Sequence, residues 1–482
     1  NLESCCRSAD LPTGDYVALV DAATPYVRAL AEDDGIDGRA VRPLVPGPRA
    51  VTLLLTTRCN LACAYCPQRR GAPREMDAAA LEAAVRLVAT SGHARPKLVL
   101  FGGEPLLAKP LVRRVLALLA ASARPGLAPD VHVVTNGLLL DDETAAFLDA
   151  ADVTIELSCD GLGDAQERRG AGTGAALRSL LLRLARSRPR LLAERLVARV
   201  TVDSGNVGAL GRSVAELRAA GVREIRAAPV HTPDPGWDEA SADLLDKALE
   251  AVASLPPNGN GGSAFDPLRP SAGSRSPIGA PTCSLGEADV LFVDVDGRIA
   301  PCGAFAPSVR PSLPPLARAL RERLAGPRVD DPALDARLPL RAAGRLGLPA
   351  LVASAARRSP RRPCASCDAL DECDVCPAAI VGAPGRDPDL VPAIWCDWNL
   401  RTARHRRALL PRAAGAQRAG SSSSAPATSA VTPVRIADPA SGANSAEWRG
   451  GSDVPPAFAF SSAAGSATPS QKSEAGTPSL PK

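Results

Sequence analysis

The chain has 482 residues, enough for two or three domains, with a hydrophobic fraction of 45% and only 3% aromatics. Its 56 Lys and Arg, five of them Lys, are balanced to a net +4 by 52 interspersed acidic residues, unlike a nucleic-acid surface, which gathers positive charge on one face. No run of about 18 uncharged apolar residues marks a membrane span, and residues 1–50 lack the basic-then-apolar order of a secretory signal. The expectation is therefore a cytoplasmic protein whose 13 cysteines stay reduced and available for metals.

From residue 51 the pattern alternates short apolar runs with amphipathic stretches. Strands are predicted at 51–56, 97–101, 131–135, 153–158, 196–202 and 224–230, and helices between them at positions such as 77–90, 109–122, 174–188 and 206–220. Asp77 and Asn206 read as helix N-caps and Gly221 as a helix stop. Each strand reads as nearly continuous in apolar residues, as a parallel strand covered on both faces should be. Six strand-then-helix repeats over 51–253 predict an α/β fold with its site at the strands' C-terminal ends.

Residues 1–50 read as an N-terminal cap or accessory segment. A Pro/Gly/Ser linker at 254–280 separates the repeats from a cysteine-rich region at 281–412, interrupted by an Arg/Leu/Pro-rich insertion at 307–362. From 413 to 482 Ser, Ala, Pro and Gly dominate; such a composition cannot offset the entropy of ordering, so this tail is expected to be disordered.

Directly after the first strand, Cys59, Cys63 and Cys66 form a CxxxCxxC on Thr-Arg-Cys-Asn-Leu-Ala-Cys-Ala-Tyr-Cys. Three thiolates on one loop can hold three irons of a cubane, leaving the fourth iron open, whereas structural zinc wants four closed ligands and no fourth Cys or His lies nearby in sequence. Gly102-Gly103-Glu104-Pro105 follows the second strand, Thr135-Asn136-Gly137 the third and Ser158-Cys159-Asp160-Gly161 the fourth. Together these motifs resemble the radical S-adenosylmethionine (radical SAM) superfamily over about 51–253. The resemblance implies a partial (β/α)6 barrel in which Cys59, Cys63 and Cys66 hold a catalytic [4Fe-4S] cluster chelated by S-adenosylmethionine. It further implies that Gly102, Gly103 and Glu104 meet the cofactor's ammonium and that Tyr65 lies beside its adenine. Asn136, Ser158 and Asp160 would line the ribose and methionine portions, and Arg169 would pair with the methionine carboxylate. Cys159, at a strand end, reads as a small core hydrophobe.

The C-terminal cysteines run Cys283, Cys302, a long gap, Cys364-x2-Cys367-x5-Cys373-x2-Cys376, then Cys396. Seven thiolates exceed one tetrahedral zinc, although paired CxxC knuckles taken alone also suit zinc. With Gly297 before Cys302, the arrangement resembles the SPASM extension of radical SAM maturases, differing in having two residues rather than three between Cys373 and Cys376. That resemblance implies one auxiliary [4Fe-4S] cluster on Cys364, Cys367, Cys373 and Cys396. A second would rest on Cys283, Cys302 and Cys376, with no fourth cysteine in 275–282. Cys5 and Cys6 match no position of the family and read as functionless.

SPASM relatives mostly modify peptides, so the implied partners are a ribosomally made peptide or protein substrate and a ferredoxin- or flavodoxin-type electron donor, with no nucleic acid and no membrane. The expected activity is reductive cleavage of S-adenosylmethionine to a 5′-deoxyadenosyl radical that abstracts hydrogen from the substrate, as in thioether or carbon–carbon crosslinking. Gly303 stands where sulfatase-modifying relatives carry Asp, which lowers that variant of the reading. The alternatives are cofactor or small-molecule biosynthesis on the same scaffold and, from another class, a non-catalytic metal-binding interaction protein.

Overall fold

The computed structural model describes residues 47–68, 72–257, 263–269, 290–300 and 302–310, parts of 312–331, residue 359, and residues 363–373, 375–381 and 390–409. The expectations for residues 1–46, for most of the linker and insertion, for Cys283 and for the tail lie outside the described residues. No helix among the described residues is long and apolar enough to cross a membrane.

The fold is mixed α/β, built on an eight-stranded sheet. Strands β1 (Ala50–Thr56), β2 (Lys97–Gly102), β3 (Asp130–Thr135), β4 (Thr154–Ser158), β5 (Leu196–Val202) and β6 (Glu224–Pro229) lie side by side in chain order, all parallel. Helices α1 (Ala78–Ala89), α2 (Lys109–Ala121), α3 (Asp142–Ala150), α4 (Thr173–Ser187), α5 (Leu210–Ala219) and α6 (Glu239–Ala253) supply the crossovers and a further helix after β6. Helix-facing strand residues such as Leu98, Leu100, Ile155 and Leu157 are fully buried, in one continuous core with Leu81, Val85, Leu148, Leu181 and Leu217.

Helix limits follow local chemistry. Asp77 caps α1, its carboxylate accepting from Ala80 N at 2.8 Å. Gly221, at φ +98°, takes the left-handed turn that ends the segment after α5. Asn206 does not cap: its amide instead donates to Thr201 O (2.7 Å) and accepts from Asp203 N (2.9 Å), and the chain enters α5 through a short 3-10 turn at Val207–Ala209.

Two features differ from the sequence expectation. The sheet does not end at six strands: β7 (Val290–Val293) pairs parallel with β1, and β8 (Ile299–Ala300) pairs antiparallel with β7. Residues after the linker thus complete the edge beside the first strand, which a local apolar pattern does not reveal. Nor are the strands uniformly apolar. β3 reads Asp-Val-His-Val-Val-Thr and β4 Thr-Ile-Glu-Leu-Ser, because one face packs on helices while the other lines a polar interior. There Glu156, 3% exposed, takes His132 Nδ1 (2.8 Å), Arg199 Nη1 (2.9 Å), Lys97 Nζ (3.4 Å) and Arg226 Nη1 (3.7 Å). Burial alone would raise its carboxyl, but the hydrogen bond to His132 and the charges of Arg199 and Lys97 outweigh that and hold it below the usual carboxylate range.

Helix α7 (Ala393–Leu409) fastens the cysteine-rich region to this frame. Trp237 Nε1 donates to Asp397 (3.0 Å), Trp395 Nε1 to Val230 O (3.2 Å), and Arg401 pairs with Asp246 of α6.

Candidate active site

β1 ends in a bulge: its register against β2 slips between Leu54 and Thr56, and the chain leaves it as the cysteine loop. Backbone bonds hold that loop against the β2 end, Gly103 N donating to Thr56 O (2.8 Å) and Glu104 N to Arg58 O (2.7 Å). The approach is so close that a Cβ on Gly103 would stand 2.3 Å from Arg58 O, so only glycine fits.

A cleft of about 640 Å³ opens at the C-terminal ends of the strands. Cys59, Cys63 and Cys66 line it, as do Tyr65, Gly102, Gly103, Asn136, Ser158 and Arg169. Cys59 and Cys66 are exposed and Cys63 half-buried. Burial pushes the Cys63 and Cys66 thiols up; Arg169 pulls both down, and the neighbouring Cys66 and Cys59 raise Cys63 further. Cys63 thus feels the charge of both neighbouring thiols, and among the described residues no fourth cysteine lines the cleft.

Two of the predicted cofactor residues, Glu104 and Asp160, do not line the cleft and are buried behind its wall at 0% and 1% exposure. Asp160 takes both Arg169 nitrogens (Nε 2.9 Å, Nη2 2.8 Å), Thr201 N (2.8 Å) and the Tyr65 hydroxyl. Arg169 lies 5.3 Å over the Tyr65 ring, so this carboxylate braces two cleft residues from behind. Burial alone would lower the pKa of Arg169, but the Asp160 charge holds it above the ordinary value. Arg169 is thus already committed to Asp160. Glu104 binds Leu106 N (3.0 Å), Thr135 Oγ1 (2.8 Å) and Asn136 N (2.7 Å), tying the β2 end to the β3 end. Asn136 Nδ2 donates to Asn60 Oδ1 in the cysteine loop (2.7 Å). Cys159 is buried away from the cleft, bonded to Gly161 O, with its thiol pushed up to about 12 by burial.

Arg199, Thr201, Arg226 and His231 also line the cleft, and sequence reading passed over them. The signal was the alternation of Arg199 and Thr201 in Leu-Val-Ala-Arg-Val-Thr-Val, which puts both on the inner face. His231 faces the cleft, stacked on Trp395 with ring centres 5.3 Å apart. The residue is solvent-exposed, and neighbouring atoms, then the charges of Arg310 and Arg199, lower its pKa.

The six described C-terminal cysteines fall into two groups. Cys364, Cys367, Cys373 and Cys396 line a small void of about 20 Å³ with Ser359, Leu370 and Leu400, Cys396 being carried by the first turn of α7. Cys302 and Cys376 do not line that void. Among the described residues no three His, Cys, Asp or Glu side chains gather as the shell of one metal ion. A cubane spreads its ligands over four corners, and four thiols around a common space fit that donor set.

Residues 53–188 match the model of the Radical SAM superfamily, and the fold is that of a radical SAM protein. A GTP 3′,8-cyclase of Parasynechococcus marenigrum (strain WH8102) is 39% identical over 148 residues, 29% of this chain and 40% of that protein. A GTP 3′,8-cyclase of Synechococcus sp. (strain WH7803) is 43% identical over 117 residues, covering 23% of this chain and 33% of its own length. The chain thus spans at most about two fifths of these curated relatives. The solved structure of native anSMEcpe with bound AdoMet and Kp18Cys peptide covers 74% of this chain and 97% of its own, at 16% identity and a TM-score of 0.56.

Proposed function

We propose that the chain is a radical SAM enzyme that abstracts hydrogen from a ribosomally made peptide or protein. The observation that carries this reading is a triad of cysteines at the rim of a substrate-sized cleft with no fourth cysteine beside them among the described residues. A four-iron cluster on Cys59, Cys63 and Cys66, with S-adenosylmethionine at its open iron, would supply the electron that cleaves this co-substrate to methionine and a 5′-deoxyadenosyl radical.

The chain's own contribution is position. Gly102 and Gly103 give a ligand access to backbone at the β2 end, and Asn136 holds the cysteine loop to the β3 end. The brace of Asp160 keeps Tyr65 and Arg169 fixed at the wall, with the Arg169 charge paired to that carboxylate. Phe101, Val134, Val200 and Val230 supply apolar patches of wall between the polar Arg199, Thr201, Arg226 and His231. Asn136, Ser158 and the glycines are the residues we propose to contact the co-substrate; Glu104 and Asp160 act from behind them.

The cysteine-rich region is proposed to be a SPASM-type domain, with Cys364, Cys367, Cys373 and Cys396 holding one auxiliary cluster and Cys302 and Cys376, with Cys283, another. Its common void of four thiols supports this, as does the fold shared with a peptide-bound structure along nearly that structure's whole length. The electron donor is proposed to be a ferredoxin or flavodoxin.

A second reading, a nucleotide substrate in cofactor biosynthesis, draws on the curated relatives of the barrel segment. Anaerobically reconstituted protein, given S-adenosylmethionine and a strong reductant, is expected to form 5′-deoxyadenosine. Formation stimulated by a candidate peptide and not by GTP supports the first reading; stimulation by GTP alone supports the second. No 5′-deoxyadenosine from iron-loaded protein would overturn both.

A further inference from the structure

Arg199 and Arg226 face the cleft from neighbouring strands. The register of β5 on β6 sets their Cα atoms opposite each other, and that of β4 on β5 puts Ser158 on the same rung. Partners on one rung carry their side chains on one face of the sheet, and all three residues line the cleft. Thr201 and Ala228, paired two residues nearer the strands' C-terminal ends, line it as well. The two guanidiniums thus stand side by side, one inner rung deeper than Thr201.

Like charges set side by side in a sheet repel, and the carboxylates at hand offset this pair unequally. Glu224 takes Nε (2.7 Å) and Nη2 (2.6 Å) of Arg226, whose Nη1 lies 3.7 Å from Glu156. Arg199 has less. Among the described residues its side chain makes one hydrogen bond, from Nη1 to Glu156 (2.9 Å), and that carboxylate also serves Lys97 and His132. Glu156 is 3% exposed while the Arg199 side chain stays 48% exposed. The carboxylate therefore holds one corner of the guanidinium from below, and Nε and Nη2 remain to donate into the cleft. Asp266, the one carboxylate lining the cleft among the described residues, lies 3.8 Å from Arg269.

We infer that Arg199 and Arg226 form a subsite for a carboxylate of the substrate, so that the peptide taken by this cleft is an acidic one. This rests on the peptide reading above and adds a substrate class to it. A guanidinium with two free donors matches a carboxylate's two oxygens, and Arg226 beside it adds charge and fewer donors. Ser158, on the same rung, is one of the residues proposed to contact the co-substrate, so a carboxylate anchored here fixes the peptide next to the radical's source.

The test is ligand-observed NMR titration of full-length, anaerobically reconstituted protein at low salt. The probes are acetyl-Glu-amide, acetyl-Gln-amide, acetyl-Gln with a free C-terminal carboxyl group, and tripolyphosphate. One of the two carboxylate probes is expected to bind about tenfold or more tightly than the neutral amide, and which of them does so tells a side-chain carboxylate from a C-terminal one. Arg199→Gln should weaken that probe by about tenfold, and Arg226→Gln by less, because Glu224 already holds Arg226. Arg199→Lys, which keeps the charge without the fork, should fall between parent and Arg199→Gln. Equal binding of acidic and neutral probes, or undiminished binding by folded Arg199→Gln, overturns the inference. If circular dichroism shows Arg199→Gln to be unfolded, Arg199→Lys decides: weaker binding than the parent supports the subsite and equal binding overturns it. Displacement of the bound carboxylate by S-adenosylmethionine would assign the arginines to the co-substrate and overturn it too. Tripolyphosphate binding through Arg199 without binding of either carboxylate would sink the inference together with the peptide reading, a different failure.

Discussion

The two cysteine groups of this chain place the same side chain in opposite settings. At the barrel mouth, three cysteines with exposed or half-buried sulfurs line an open cleft of about 640 Å³. Under α7, four cysteines surround about 20 Å³ of void walled by Leu370, Val391 and Leu400. The first gathers three cysteines among the described residues beside room for another molecule; the second gathers four with little space between them. Three thiols beside a cleft suit a cluster that exchanges a ligand, and four around a closed void suit one that passes electrons only.

The sharpest way to break that contrast is to remove each set in turn. Replacing any of Cys59, Cys63 or Cys66 by Ala is expected to abolish 5′-deoxyadenosine formation, measured by chromatography of anaerobic reactions, while the iron at the C-terminal sites survives. Cys364→Ala or Cys367→Ala should do the reverse: iron content falls by about four atoms per chain, yet cleavage of S-adenosylmethionine persists without completed product. Equal losses of cleavage in both sets would erase the distinction.

Below these in size is the charged interior of the barrel, which separates frame from site. Glu156→Gln leaves Arg199, Lys97 and Arg226 without their shared carboxylate and should cost about 3 kcal/mol in denaturant unfolding at pH 7. The pH dependence follows from the depressed carboxyl. Unfolded, Glu titrates near pH 4.3, above its folded value, so the unfolded chain binds the extra proton as pH falls. The stabilisation is complete above about pH 5 and fades as pH drops toward the folded value. Wild type and variant should therefore converge in acid; a gap independent of pH would mean that packing, not charge, is responsible.

Much of this was legible in the residues. The six parallel strands and the helices expected at 77–90, 109–122 and 174–188 follow apolar runs whose ends differ from the observed elements by one residue or so, because buried Leu and Val set the period, whereas the helix expected from 206 begins at Leu210. CxxxCxxC, Gly-Gly-Glu and Thr-Asn-Gly fell at strand ends and so had to meet at one mouth. What stayed hidden depends on distance in sequence. β7 joins β1 across more than 200 residues, and Asp160 reads as a ligand-facing acid until Arg169 and Tyr65 close over it. The inner-face charges were missed because a strand covered on both faces was expected, whereas here one face looks into a cleft.

The smallest expected effect tests whether the open site depends on its brace. Tyr65→Phe removes the hydroxyl bonded to Asp160 but keeps the ring beneath Arg169. Asp160 retains both Arg169 bonds and Thr201 N, so the loss is one hydrogen bond to a charged group, offset in part by the partners that remain. About 1 kcal/mol of stability should go, with a few-fold rise in the KM for S-adenosylmethionine and little change in kcat. Tyr65→Leu also removes the ring, and with it a cation–π contact that adds about 0.5–1 kcal/mol, so it should weaken binding further. If Phe and Leu behave alike, the ring carries nothing and the hydroxyl alone matters. If neither alters KM, Tyr65 is wall and not contact, and the open site is defined by its cysteines and glycines without help from the brace behind them.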